Sequence, residues 1–370
     1  MKILFVATVR SHIGQFHMPF IRFLVEQGHE VHAAFRDNSA DKQGLDLSVI
    51  HQTFEIPFER SPLKLNNLKA YFALKKVIDA GDYDIIHCHT PMGAVITRLA
   101  AKNAKKRGAK VFYTAHGFHF YRGAARKNWL LFYPVEKLLA SRADVLITIN
   151  QEDYDLAVAK KFRAGRIVRI NGVGVDLRKF SPVSAEEKRR ARAALGIGQE
   201  QFVLLYAADL SYRKNQSMLF RALNRIGENI PHMCLLLPGQ PIARREYEQQ
   251  CAQLGIDDRV RFLGYRRDID RLLAACDCVV SSSRQEGLPI NLIEAAARGK
   301  YIIATDVRGN ADVVRQSGFG TLVALNDDEA MAEAIRDFYR SGRAERADVS
   351  AVAVYDQAAI IAQLRKIYGI

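Results

Sequence analysis

The chain has 370 residues, of which 49% are hydrophobic and 25% charged, and a net charge of +14 from 54 Lys+Arg against 40 Asp+Glu. These proportions exclude a disordered or fibrous chain and leave room for two domains of ordinary size. No run of about 18 apolar residues occurs, so no membrane-spanning helix is expected.

Residues 1–7 are too short an apolar stretch for a secretory signal and read as a first strand. The five cysteines, Cys88, Cys234, Cys251, Cys276 and Cys278, lack C-x-x-C spacing and mostly sit in apolar runs. They read as buried thiols of a reducing compartment, which places the protein in the cytoplasm. The charge is uneven: residues 1–171 hold 26 Lys+Arg against 15 Asp+Glu. That +11 half suggests an anionic partner, although solubility alone would also explain it. Beyond charge there is no RNA- or DNA-binding signature, so no nucleic-acid partner is expected.

In chain order, residues 2–9 form a strand, 10–17 a loop containing Gly14, and a helix runs to about 27 before a strand at 30–35. This β-α-β start implies a parallel sheet. The first turn lacks the G-x-G-x-x-G fingerprint, which weakens a nicotinamide or flavin reading. Residues 63–80 are helical, and 83–89 form a buried strand that puts His87 and His89 on one side. Those two could share a metal, but no third ligand is near in sequence, so a structural or site-lining role is preferred. A helix spans 92–106, and a strand from 110 runs into a tight turn at 117 with His116 at its carboxyl end. Residues 118–133 interleave aromatics with cations, as a membrane-interface segment does; a helix packed into its own domain fits equally well.

A strand at 143–150, a helix at 151–162 and a short strand at 166–170 lead to Asn171-Gly172-Val173-Gly174-Val175-Asp176. The polar run 181–192 reads as a linker. A second β-α series follows: strands at 202–207, 233–237, 260–263, 276–280, 301–305 and 320–323, with helices at 216–226, 244–254, 268–275 and 290–298. A last helix covers 352–368. The domain expectation is therefore 1–171, 172–349 and a terminal helix over 350–370.

The stretch that stands out is Gln285-Glu286-Gly287-Leu288-Pro289, followed by a helix carrying Glu294. Strand, loop and helix in that order raise two carboxylates at the carboxyl end of a strand, where open α/β sheets bind ligands. The helix start adds free N–H groups and a positive dipole end, a seat for phosphate. Two Glu eight apart on a surface helix are common, and the Gly-x-Pro break between them is what tells against that plain reading.

The frame EGLPxxxxEAxxxGK resembles the retaining GT-B glycosyltransferases of family 4. The T-A-H-G turn at 114–117 and the Asn-Gly-Val-x-Val-Asp stretch at 171–176 match it as well, and the nearest members are the exopolysaccharide and capsule type. The resemblance implies α/β architecture, two facing Rossmann-like domains with a C-terminal helix crossing back. It implies that Glu286 and His116 face the transferred sugar and that Glu294 holds the donor ribose. Gly287 and Leu288 are candidate donor contacts beside Glu286, Gly264 and Tyr265 would meet the base, and Gly14, with Arg10 and His12, lies in a loop touching donor and acceptor.

One departure stands out. The family commonly shows Gly-Arg-Leu with a Lys five positions after the Arg; here Lys214 matches the Lys, while Asp209 occupies the Arg position. Arg213 is the expected substitute, since it adjoins Lys214 at the start of the next helix; two cations there oppose the dipole, which hints at a ligand.

The Asp-x-Asp pairs at 82–84, 153–155 and 268–270 precede a strand or open helices, so no metal is expected; Arg213, Lys214 and the helix N-terminus would stabilise a departing diphosphate. The implied function is transfer of a hexosyl group from a UDP-linked sugar to a lipid-diphosphate-linked saccharide, with retention, peripherally on the inner face of the cytoplasmic membrane at an anionic surface. A nucleotide-sugar 2-epimerase, or a non-catalytic nucleotide-sugar or nucleic-acid binder, remains the alternative.

Overall fold

The computed structural model describes residues 1–40, 44–342 and 348–370. The chain folds into two units, Met1–Gly174 with Gln357–Ile370, and Val175–Asp356.

The first unit is built on β1 (Lys2–Val9), β2 (Glu30–Arg36), β3 (Gln52–Glu55), β4 (Ile85–His89), β5 (Lys110–Ala115), β6 (Val145–Thr148) and β7 (Arg166–Arg169). Their order in the sheet is β3-β2-β1-β4-β5-β6-β7, and every pairing is parallel. The second unit contains β8 (Phe202–Leu205), β9 (Met233–Pro238), β10 (Val260–Gly264), β11 (Cys278–Ser281), β12 (Tyr301–Thr305) and β13 (Gly320–Val323). They are ordered β10-β9-β8-β11-β12-β13, again all parallel. Both orders reverse direction next to their first strand, between β1 and β4 and between β8 and β11. Such a reversal opens a crevice at the strands' carboxyl ends.

The central strands are almost continuously apolar because helices cover both faces of a parallel sheet, whereas the edge strands β3 and β7 are polar and largely exposed. β1 and β11 are buried along nearly their whole length. All five cysteines are buried as thiols rather than joined in disulfides, as the apolar runs around them imply. The final helix, Gln357–Tyr368, belongs to the first unit, where it packs on the helix Met18–Glu26. Tyr368 places its hydroxyl 2.6 Å from His87 Nδ1.

Several local expectations need correction. Residues 10–17 do not form a loop: Arg10–Phe16 is a helix and Met18–Glu26 a second one. The polar run 181–192 is not a linker but lies inside the second unit. Most of it is the helix Ala185–Ala194, capped by Ser184, whose side chain accepts from the Glu187 amide. Two glutamates open the helix and four cations follow, with Glu186 paired to Arg190, and only Ala191 and Arg192 turn fully inward. The predicted 92–106 helix breaks at Ala101 into Pro91–Ala100 and Lys102–Lys106.

A buried ion pair ties the helices of the first unit to its sheet. Arg98 is 1% exposed, and its Nη2 donates to Glu136 Oε2 at 2.8 Å. Tyr113 of β5 donates to the other Glu136 oxygen at 3.1 Å, and the guanidinium lies over the Tyr113 ring at 4.2 Å. Removing one member of such a pair strands the other charge in a low-dielectric interior. Glu136→Ala should therefore cost about 3–5 kcal/mol of first-unit stability, read as a lowered midpoint in urea denaturation; an unshifted midpoint would show that Arg98 finds other partners.

Candidate functional site

In the second unit the site grows from the carboxyl ends of β8 and β11. After β8 the chain turns through Asp209 to Lys214 and enters the helix Gln216–Ile226. Asn215 at the helix start is held in the left-handed region, φ 56°, by its side chain: the amide donates to the Ser282 carbonyl, and Arg284 donates to its oxygen. β11 ends on the buried Ser281; buried Ser282 and Ser283 follow, and then Glu286, on a loop as the sequence indicates.

Glu286 is 6% exposed and gathers the neighbouring donors. Lys214 Nζ lies 2.5 Å from one carboxylate oxygen and Arg213 Nη1 3.1 Å from the other. Ser283 Oγ donates to the first oxygen at 2.6 Å. Burial opposes ionisation of this carboxyl, but Lys214, Arg213 and the Ser283 hydroxyl outweigh it and hold the pKa below its ordinary value. The two cations that open the helix against its dipole are thus balanced within the protein by Glu286. The unfavourable dipole is therefore no sign of an external anion on its own.

Asp209 has a structural task. Its carboxylate accepts from the Gln240 amide at 3.1 Å, and its carbonyl accepts from Gln216 Nε2 at 3.0 Å. The side chain found at the family's Arg position therefore pins the turn after β9 to the turn after β8.

Glu294 lies one and a half turns into the helix Ile290–Ala297 and is partly buried. No hydrogen bond to its carboxyl is found among the described residues. Burial, reinforced by the nearby charge of Asp270, pushes its pKa up to about 7. A carboxyl group with no partner and a perturbed acidity, at the carboxyl edge of a parallel sheet, is a binding-site candidate. Tyr265, just beyond β10, is 55% exposed, and Gly264 has φ 67°. Gly287 and Leu288 follow Glu286 in the same loop. Gly309 packs against that loop so closely that a Cβ there would meet the Gly287 carbonyl oxygen at 2.6 Å.

Sequence reasoning missed two residues here. Ser283 orients Glu286, and Arg308, 6% exposed, donates to the Glu286 carbonyl at 2.9 Å. The run of three serines before Glu286 was a readable signal for the first. Arg308 sits in the turn after β12, and nothing in its local sequence separates it from the arginines of the surface.

In the first unit, His116 follows β5, as expected from its turn. Around it the structure gathers His12 from the helix Arg10–Phe16, His17 from just after that helix, and His89 from the end of β4. One ring nitrogen from each of the four lies within 4.8 Å of every other. His87 shares a side of β4 with His89, their ring centroids 4.2 Å apart, yet it is not one of the four. Thr114 and Tyr368 engage both of its nitrogens at 2.7 and 2.6 Å. Burial lowers the pKa of His116 to about 4 and that of His87 to about 3, and puts His17 and His89 well below the ordinary value, so these imidazoles are neutral at pH 7.

Gly14 falls inside the helix Arg10–Phe16, where Leu45 and Leu47 pack 3.0–3.2 Å from where its Cβ would be. That packing accounts for the glycine and does not favour its expected contact with a donor. Arg10 donates to the Leu45 carbonyl at 2.9 Å.

The aromatic segment is only partly outward. Phe118 and Phe120 are buried, and Trp129, Phe132 and Tyr133 pack on the core, so the rings do not form an interfacial belt. Leu130 and Leu131 do stay outside. A separate apolar surface, unmarked by the sequence reading, surrounds Leu63, Leu65 and Leu68, which are 60–90% exposed. It forms a groove of about 640 Å³ with Lys64, Lys102 and Arg142 in its lining.

Comparison with known proteins adds the following. The family described as glycosyl transferases group 1 matches residues 187–353, and that described as glycosyl transferase 4-like matches residues 2–150. The chain is 42% identical over 338 residues to a protein named as glycosyltransferase EpsD of Bacillus subtilis strain 168, covering 91% of this chain and 87% of that one. It is 28% identical to the Escherichia coli UDP-Gal:alpha-D-GlcNAc-diphosphoundecaprenol alpha-1,3-galactosyltransferase, over 73% of this chain and 70% of the other. Among solved structures, Anabaena HepE in complex with UDP and glucose superposes with a TM-score of 0.79 at 23% identity, over 100% of this chain and 99% of that one.

Proposed function

This chain belongs to the GT-B glycosyltransferases of family 4, of the exopolysaccharide type, and we propose that it moves a hexosyl group from a UDP-linked sugar to a saccharide carried on a lipid diphosphate, with retention at C1. The observation that carries this reading is the Glu286 carboxylate, buried between Lys214 and Arg213 at the carboxyl end of β11, with the unpaired Glu294 carboxyl one helix turn and a half beyond. The E. coli relative named above acts, by its name, from UDP-Gal on a diphosphoundecaprenol-linked sugar, which supports this class of donor and acceptor.

In this reading Glu294 accepts hydrogen bonds from the ribose hydroxyls, and Tyr265 and Gly264 meet the base. Lys214 and Arg213 turn from Glu286 to the diphosphate as negative charge develops on it. Arg213, whose side chain is 52% exposed, is free to make that turn. Glu286 is the sugar contact proposed in the second unit, and His116 the one proposed in the first. The acceptor hydroxyl attacks C1 on the face from which the diphosphate departs; the C1–O bond to phosphate breaks, and the leaving phosphate takes the hydroxyl proton. No metal is required, because the charge is met by side chains. The basic first half of the chain, with the exposed Leu63, Leu65, Leu68, Leu130 and Leu131, would hold the protein at an anionic membrane surface, where such an acceptor resides.

The deciding experiment offers UDP-, GDP- and dTDP-sugars with a lipid-diphosphate saccharide in anionic or neutral vesicles, with EDTA present. Acceptor-dependent release of UDP, an α-linked product and faster transfer on anionic vesicles are expected. UDP release that needs no acceptor would favour an epimerase or hydrolase, and a requirement for Mn²⁺ would overturn the metal-free mechanism.

Two further outcomes follow from the clamp. Lys214→Ala and Arg213→Ala should each lower turnover roughly 10–100-fold, from losing about 1.5–3 kcal/mol of charged hydrogen bonding at the leaving group. The double variant should lose less than the product of the two, since both act on one diphosphate. If Arg213→Ala keeps full turnover, Arg213 does not replace the missing Arg.

Glu294 predicts a pH dependence of donor binding. Its folded pKa is raised to about 7, so the hydrogen-bond-accepting carboxylate is lost as pH falls through that value. Calorimetry should find UDP-sugar affinity several-fold weaker at pH 6 than at pH 8, and Glu294→Gln both weak and independent of pH. A pH-dependent Glu294→Gln would assign the titration to another group.

A further inference from the structure

We propose that His12, His17, His89 and His116 form a binding site for a divalent transition metal of the zinc class, a site not used in sugar transfer. The four residues come from three separate places in the sequence. His12 lies on the helix Arg10–Phe16 and His17 follows it, His89 ends β4, and His116 follows β5. They meet where β1, β4 and β5 lie side by side in the sheet, at the carboxyl ends of those strands.

A tetrahedral zinc ion with imidazole ligands at 2.0–2.1 Å sets the ligand nitrogens about 3.3 Å apart. One ring nitrogen from each of the four falls within 4.8 Å of every other. Small rotations of the side chains close the remaining gaps. The rings themselves crowd together, His17 and His89 with centroids 3.8 Å apart and His12 and His116 4.6 Å.

The second observation is a shortage of partners. His17 is 8% exposed and His89 0%, and Nε2 of each is buried with no hydrogen bond. A buried polar nitrogen left unsatisfied is costly, and two of them in one cluster are not explained by packing. Imidazole is a preferred ligand of zinc, copper and nickel, whereas magnesium and calcium take oxygen. The donor set therefore selects a borderline transition metal. His12 and His116 are only partly buried, so the cluster is reachable from solvent. His87 stands behind it, fixed through both nitrogens by Thr114 and Tyr368, and supports the position of His89.

A metal held by His116 would take that ring away from the sugar. Resting in this one respect on the transferase reading, occupation should inhibit transfer, and a chelator should leave activity unchanged or raise it.

The test uses the full chain without a polyhistidine tag, freed of metal and titrated with Co²⁺ and Zn²⁺. One equivalent per chain, with the intense visible absorption of four-coordinate cobalt that Zn²⁺ abolishes, is expected. His116→Asn, at a partly exposed position, and His17→Asn should each weaken binding tenfold or more; circular dichroism checks that they fold. His51→Asn, at an exposed histidine, should not change it. A weak six-coordinate cobalt spectrum, no stoichiometric uptake, or equal binding by well-folded His116→Asn would overturn the proposal. These readings need no donor, so they stand apart from a failure of the transferase reading, which would appear as a metal-free protein without transfer.

Discussion

Both units depend on one constraint: every strand pairing in their sheets is parallel. A parallel strand must be followed by a crossover that returns the chain to its start, so all strand-to-helix turns emerge on one edge. The turns after β8, β11 and β12 in the second unit, and after β4 and β5 in the first, are brought together for that reason. Residues as distant as Arg213, Glu286 and Arg308, or His17, His89 and His116, become neighbours without any local signal drawing them to each other.

The same edge sets the electrostatics. Glu286 is pulled toward ionisation by two cations and a hydroxyl despite its burial, and Glu294, which lacks such partners, is pushed toward its acid form by burial and by Asp270. Two carboxyl groups one loop and a turn and a half of helix apart thus differ in charge at neutral pH. One is an anion paired with Lys214 and Arg213. The other, with a pKa of about 7, titrates near neutrality. Asp209 shows the opposite economy: a charge reversal in a binding motif becomes a tether between two turns, while the cations it would have joined are anchored from across the sheet.

The first unit handles its polar interior differently. Arg98, Glu136 and Tyr113 satisfy one another deep under the helices, so their network is closed. The histidine cluster is not closed: His87 is satisfied on both sides, but His17 and His89 each keep a buried nitrogen without a partner. Within one unit, then, one buried polar network is paired throughout and the other keeps unpaired nitrogens.

Local sequence determined much of this protein. Apolar runs punctuated by Gly and Pro gave the strands, because strands buried on both faces must be apolar throughout, and the helices 216–226 and 244–254 were placed to the residue. The strand-loop-helix around Glu286 and its resemblance to a transferase motif were legible for the same reason: the chemistry sits in contiguous residues. Elsewhere local signals misled. The polar, Gly-containing stretch 10–17 reads as a loop, yet it is helical, because Leu45 and Leu47 pack over Gly14 from a distant segment and Ile13 is buried beneath. The charged run 181–192 reads as a linker, yet paired charges and one buried edge make it a helix. Only the tertiary structure decided that Glu286 holds the two cations, that Asp209 is a tether, and that four histidines rather than two meet in one place. Those facts depend on side chains from separate crossovers converging on one sheet edge, and nothing within any single stretch of sequence specifies which turns will be neighbours.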